Sequence, residues 1–64
     1  MNELRTVIFG DREYRVLATS TGVAQRIDVR VWRYGSTENY WRRIPINGTK
    51  AKRVLTTHGF DLPF

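Results

Sequence analysis

Ile27-Asp28-Val29-Arg30-Val31-Trp32-Arg33-Tyr34-Gly35-Ser36-Thr37-Glu38-Asn39-Tyr40-Trp41-Arg42-Arg43-Ile44-Pro45-Ile46 is the stretch that decides the fold. Its two ends alternate apolar with polar or charged residues, and a strand sends successive side chains to opposite faces, so each end reads as a strand with one apolar side. Setting Val29 against Ile44 and Ile27 against Ile46 unites those sides and leaves Gly35-Ser36-Thr37-Glu38 as a four-residue loop. That register brings Trp32 against Trp41 and Arg30 against Arg43 on the other face. A slip of one residue would carry the arginines into the core.

Upstream, extended runs Leu4 to Phe9, Glu13 to Ser20 and Val23 to Tyr34 are separated by Gly10-Asp11-Arg12 and Thr21-Gly22, which are strand and hairpin signals. With Thr21-Gly22 as a two-residue turn, Tyr14 falls opposite Val29 and Val16 opposite Ile27. On the other face Glu13 meets Arg30 and Arg15 meets Asp28, so apolar matching and charge matching select the same pairing. The first hairpin admits a loop of Gly10-Asp11 or of Asp11-Arg12, two registers that give the same face assignment.

Downstream, Asn47-Gly48 closes the fourth strand, and Thr49 is placed to cap a short helix through about Thr57 that Gly59 ends. Ala51, Val54, Leu55 and His58 share one face of that helix, with His58 packed at its C-terminal end, while Lys50, Lys52 and Arg53 point to solvent. So short a helix forms only by docking its apolar stripe on the sheet. The expected fold is α+β: one small domain over 1–64, a four-stranded antiparallel β-meander with a single C-terminal helix packed on one sheet face. That face carries Val7, Phe9, Tyr14, Val16, Ile27, Val29, Val31, Ile44 and Ile46; the open face carries Ile8, Arg15, Leu17, Arg26, Asp28, Arg30, Trp32, Trp41 and Arg43.

Composition narrows what such a sheet can do. Eleven Lys and Arg against six Asp and Glu give a formal charge of +5 on 64 residues, and nine of the eleven cations are Arg, the residue suited to bidentate phosphate contact and to stacking. Cysteine is absent, so neither a disulfide framework nor a thiolate metal site is available, and one histidine cannot make a metal cluster by itself. No long apolar run marks a signal peptide or a transmembrane helix, and the expectation is a cytoplasmic protein without a cofactor. Neither a nucleophile with its base, nor paired carboxylates, nor a phosphate loop is recognisable, so the expectation is also non-enzymatic.

What remains is a patch of rings and guanidinium groups. Arg26, Arg30, Trp32, Trp41 and Arg43 on the open face, joined by Lys50, Lys52 and Arg53 at the helix start, form the candidate nucleic-acid-binding set, with phosphates on the cations and bases on the tryptophans. Arg26 and Arg43 are the strongest of these, because the expected register gives neither an acidic partner. The competing structural reading makes the tryptophans a cross-strand pair that supports the hairpin and the arginines members of a solvated ion lattice.

The order of strand, hairpin, strand and Thr-started helix over Asp28 to Leu55 resembles the sheet-plus-helix DNA-binding domains of phage-type integrases and plant ethylene-response factors. That resemblance implies a sheet that enters the major groove of DNA. Separately, Asp61-Leu62-Pro63-Phe64 is similar to the Asp-Ile-Pro-Phe tip of bacterial single-stranded-DNA-binding proteins, which implies a partner-docking tail of Phe60, Leu62 and Phe64; the alternative is that these three pack on the core. The expected function is therefore a small nucleic-acid-binding protein of the kind phages or mobile elements encode, with DNA favoured over RNA. The second expectation is a protein-interaction module or inhibitor that binds a host protein through the same patch. A homodimer paired through the edges Leu4 to Phe9 or Tyr40 to Ile46 is a further possibility, with Pro45 discouraging the second.

Overall fold

The computed structural model describes residues 2–64. Four strands, β1 (Glu3–Phe9), β2 (Arg12–Ala18), β3 (Ala24–Trp32) and β4 (Asn39–Ile44), form one antiparallel sheet in sequential order, and a helix, α1 (Thr49–Thr57), follows. This is the expected meander with its C-terminal helix. Gly10-Asp11 is the β1–β2 loop, since Phe9 pairs with Arg12.

The β2–β3 pairing sets Tyr14 against Val29, Arg15 against Asp28 and Val16 against Ile27, as apolar and charge matching require. The turn differs from expectation. Ser20, Thr21 and Gly22 form a three-residue loop closed by Thr19 N–H to the Val23 carbonyl at 2.9 Å, with Gly22 at φ 89° where only glycine is unstrained. The extra loop residue shifts the pairing to Ala18 with Ala24, and an irregularity beside Leu17 and Ala18 restores the register. Arg26 pairs with Leu17, so Gln25 is the bulged residue; it lets Ala24 and Ile27 both enter the core while Arg26 stays on the open face.

The β3–β4 register is two residues away from the expected one. Ile27 pairs with Ile44, Asp28 with Arg43, Arg30 with Trp41 and Trp32 with Asn39, so the two tryptophans do not face each other and Arg30 does not face Arg43. A two-residue shift keeps every side chain on its face, so alternation alone cannot detect it. Local contacts choose between the two. Arg33 N–H donates to the Glu38 carbonyl at 2.9 Å and their side chains meet at 3.0 Å, while Ser36 Oγ accepts from Glu38 N–H at 3.0 Å, leaving Tyr34 to Thr37 as the loop. At the other end Gly48 N–H donates to the Pro45 carbonyl at 3.1 Å, which turns the chain before Ile46 can pair. The observed register also replaces an Arg–Arg pair by Asp28–Arg43, and like charges opposite one another destabilise a sheet.

Helix α1 begins one residue before a Thr49 cap would allow: Thr49 is its first residue, and Gly48 occupies the cap position with no side-chain hydrogen bond. A Cβ on Gly48 would lie 3.2 Å from the Pro45 carbonyl oxygen, so the tight turn into the helix favours glycine over a hydroxyl residue there. At the far end Gly59 N–H bonds the Thr56 carbonyl and Phe60 N–H the Leu55 carbonyl, and Gly59 sits at φ 79°. That is the Schellman arrangement, and it carries Phe60 down beside Leu55 in the core. His58 departs from expectation. It is exposed, outside the buried stripe of Ala51, Val54 and Leu55, and its Nε2 lies 2.9 Å from the Ile8 carbonyl on β1.

The core is Tyr14, Val16, Ala18, Ala24, Ile27 and Val29 from the sheet with Ala51, Val54, Leu55 and Phe60 from the helix and tail. Val7, Phe9, Val31, Ile44, Ile46 and Leu62 are only partly buried around it. The helix therefore leaves the β3–β4 end of its own face uncovered, where Tyr40 and Arg42, on the core side by register, are exposed. The tail is tied down as well. Ala24 N–H donates to the Asp61 carbonyl at 2.8 Å and Asp61 N–H to the Gly22 carbonyl at 2.9 Å, so of the expected docking residues Phe60 is buried, Leu62 half-buried and Phe64 alone exposed.

Candidate functional site

The open face can be laid out from the registers as rows across the sheet. One row runs Ile8, Glu13, Arg30, Trp41; the next runs Thr6, Arg15, Asp28, Arg43; the next contains Leu4, Leu17 and Arg26. Asp28 lies at the centre of this grid and is 4% exposed, although no other element among the described residues covers that face. Long neighbouring side chains bury it instead, since arginine can lay its aliphatic stem over a surface while its head stays wet.

Three guanidinium groups converge on this single carboxylate. Arg15 donates to Asp28 Oδ2 from Nη2 at 3.0 Å and from Nε at 3.3 Å. Arg26 Nε stands 3.7 Å from the same oxygen, and Arg43 Nε 3.9 Å from Oδ1. Only Arg15 makes hydrogen bonds in this set. Arg26 Nε is buried without a hydrogen-bond partner among the described residues, and Arg43 keeps 69% of its side chain exposed. The expectation that Arg26 and Arg43 have no acidic partner is thus corrected: both approach Asp28, but they share it with Arg15, and two positive charges remain uncompensated there.

The rings are held by Arg15, from this cluster, and by Arg30. Arg15 Cζ lies 4.7 Å from the Trp41 ring centre and Arg30 Cζ 5.7 Å from it, while Arg30 is also 5.0 Å from the Trp32 ring centre. Arg30 in turn is fixed by Glu13 at 3.1 Å and by Asn39 Oδ1 at 2.9 Å. Its guanidinium is consumed in positioning the two tryptophans, each such contact worth roughly 0.5–1 kcal/mol at an exposed site. Trp41 is half-buried by this arrangement, and Trp32, beyond it, is 55% exposed.

The cations of the helix lie elsewhere. Lys50, Lys52 and Arg53 are exposed on α1, which covers the opposite face of the sheet; Lys50 Nζ stands 5.4 Å from the Phe9 ring and Lys52 Nζ 5.5 Å from the Phe64 ring. The sequence-derived set therefore separates into two surfaces, Arg26, Arg30, Trp32, Trp41 and Arg43 on one and Lys50, Lys52 and Arg53 on the other. Two members of the open-face cluster were missed as site residues, Arg15 and Asp28. Their pairing across β2 and β3 was legible from charge matching; that it also organises Arg43 follows only from the true β3–β4 register.

No helix among the described residues is long and apolar enough to cross a membrane. Comparison with protein-family models, with curated proteins and with solved structures finds no match to this chain. None of the families that parts of the sequence resemble is returned.

Proposed function

We propose that this chain is a small non-enzymatic protein that binds nucleic acid through the open face of its sheet. One observation carries the reading: that face, uncovered by any other element among the described residues, presents four arginines against two acids, with Arg43 69% exposed beside half-exposed tryptophan rings. Arg26 and Arg43 neutralise phosphate, Trp32 offers its ring to a base, and Arg30 with Glu13 and Asn39 keeps the rings in place. The strand order that resembles sheet-reading DNA-binding domains favours DNA over RNA. Lys50, Lys52 and Arg53 are left out of this site, because a ligand on the open face does not reach them without wrapping around a sheet edge.

The test is tryptophan emission during titration with single-stranded DNA, duplex DNA and RNA, each at low and moderate salt. Saturable quenching that weakens with salt is expected, since each neutralised phosphate releases bound counterion. Absence of any response at low salt overturns the reading. A second reading draws on the exposed aromatics at the β3–β4 end, Trp32 at 55%, Tyr40 at 57% and a fully exposed Tyr34, which with Arg33 have the composition of a protein-binding hot spot. Under that reading the aromatic substitutions weaken capture of a partner protein and salt has little effect.

A further inference from the structure

Within the open face, one small depression has a composition that a generic basic surface lacks. It is lined by Arg15, Arg26, Asp28, Trp41 and Arg43. Asp28 forms its buried floor and is saturated on the Arg15 side by two hydrogen bonds. Arg26 and Arg43 flank it from the β3 and β4 side, and neither guanidinium donates a hydrogen bond to any described residue. Trp41 makes the remaining wall, braced by Arg15 and Arg30.

We infer that this depression is a seat for a phosphate monoester, the terminal phosphate of a nucleic acid strand, with Arg26 and Arg43 as its ligands and Trp41 beside the attached nucleotide. The inference rests on the nucleic-acid reading above and adds to it which phosphate is held. Charge decides in favour of the monoester. Three guanidinium groups against one carboxylate leave an excess of two, which a dianionic terminal phosphate cancels and a singly charged backbone diester does not. Hydrogen bonding points the same way. A terminal phosphate offers three acceptor oxygens, enough for the orphan Arg26 Nε and the free fork of Arg43 together, and guanidinium binds such oxygens with two parallel bonds. Arg30 takes no part, because Glu13 and Asn39 already occupy it.

The experiment compares short single strands of one sequence that end in a 5′-phosphate, a 3′-phosphate or hydroxyls only. Inorganic phosphate serves as a separate probe on a Trp32→Tyr protein, whose tryptophan emission comes from Trp41 alone. A phosphorylated end should bind about tenfold more tightly than the hydroxyl strand, the gain expected from hydrogen bonds to a charged group. That gain should vanish in Arg43→Ala and in Arg26→Gln and persist in Arg5→Ala; Arg5 is an exposed residue paired with Glu3 on β1. Arg43 is largely exposed, so its substitution should leave the thermal midpoint unchanged and make the comparison safe from unfolding.

Equal affinity for all three strands, with no response of Trp41 to inorganic phosphate, overturns the seat and leaves the nucleic-acid reading standing. Binding of inorganic phosphate with no strand bound keeps the seat as a free-phosphate site and overturns its assignment to a strand end together with the nucleic-acid reading.

Discussion

The two faces of this sheet are built from the same four strands and are held by different forces. Under the helix, Tyr14, Val16, Ile27, Val54 and Leu55 are almost wholly removed from water and none is charged. On the open side, the most buried residue is the carboxylate of Asp28, covered by arginines and a tryptophan rather than by another layer. The covered face gains its stability from non-directional burial. The open face can hold its geometry only through directed contacts, and some of those are incomplete at Arg26 and Arg43. Under the proposed function, the incomplete groups at Arg26 and Arg43 are the ones a bound phosphate would complete.

The sharpest way to separate the faces is to remove one residue from each. Leu55→Ala leaves a cavity at a fully buried position and should cost roughly 2–5 kcal/mol, close to the total that so small a core supplies. Urea denaturation should then show a largely unfolded protein at room temperature. Asp28→Ala on the open face should cost less, about 1–3 kcal/mol, from the lost charged hydrogen bonds and three arginines left facing one another. If Asp28→Ala proved as damaging as Leu55→Ala, the open face would be part of the structural core.

Gly59→Ala should rank next, about 1–2 kcal/mol, because the Schellman turn holds this residue at φ 79° where a Cβ is strained. It acts on the covered face alone, by loosening the link between α1 and Phe60. Thermal melts should record it, and strand binding at temperatures well below the midpoint should not change.

How much of this was legible in the sequence differs between the faces in the same way. Alternation fixed which residues enter the core, and Tyr14, Val16, Ile27 and Val29 lie where it puts them. Period-2 alternation carries no information about slips of two residues, and that is why the β3–β4 register was misread while every face assignment held. The discriminating signal was present in Asp28 and Arg43. Charge matching, which settled β2 against β3, favours Asp28–Arg43 over Arg30–Arg43 and gives the observed pairing when applied to the second hairpin. The three-residue turn at Gly22 and the bulge at Gln25 had no such signal, because Thr21-Gly22 suits a two-residue turn equally well. His58 misled because helical spacing places it on the stripe, whereas the helix ends at Thr57 and the turn redirects it to β1.

Trp32→Ala should have the smallest effect on stability, and it divides the two uses of an aromatic residue. In a cross-strand aromatic pair its loss would weaken the hairpin, but here Trp32 faces Asn39, is 55% exposed, and its ring meets the Arg30 guanidinium. Truncation should therefore shift stability by no more than about 0.5–1 kcal/mol, the worth of that one exposed ring contact. Loss of one stacked base would cost about 1–3 kcal/mol of binding free energy, leaving the salt slope intact because no phosphate contact is removed. A Trp32→Ala protein with wild-type melting and weakened strand binding assigns the ring to the ligand. Wild-type binding with a lowered melting point would return Trp32 to the hairpin, and the open face would then contact phosphate through arginine alone.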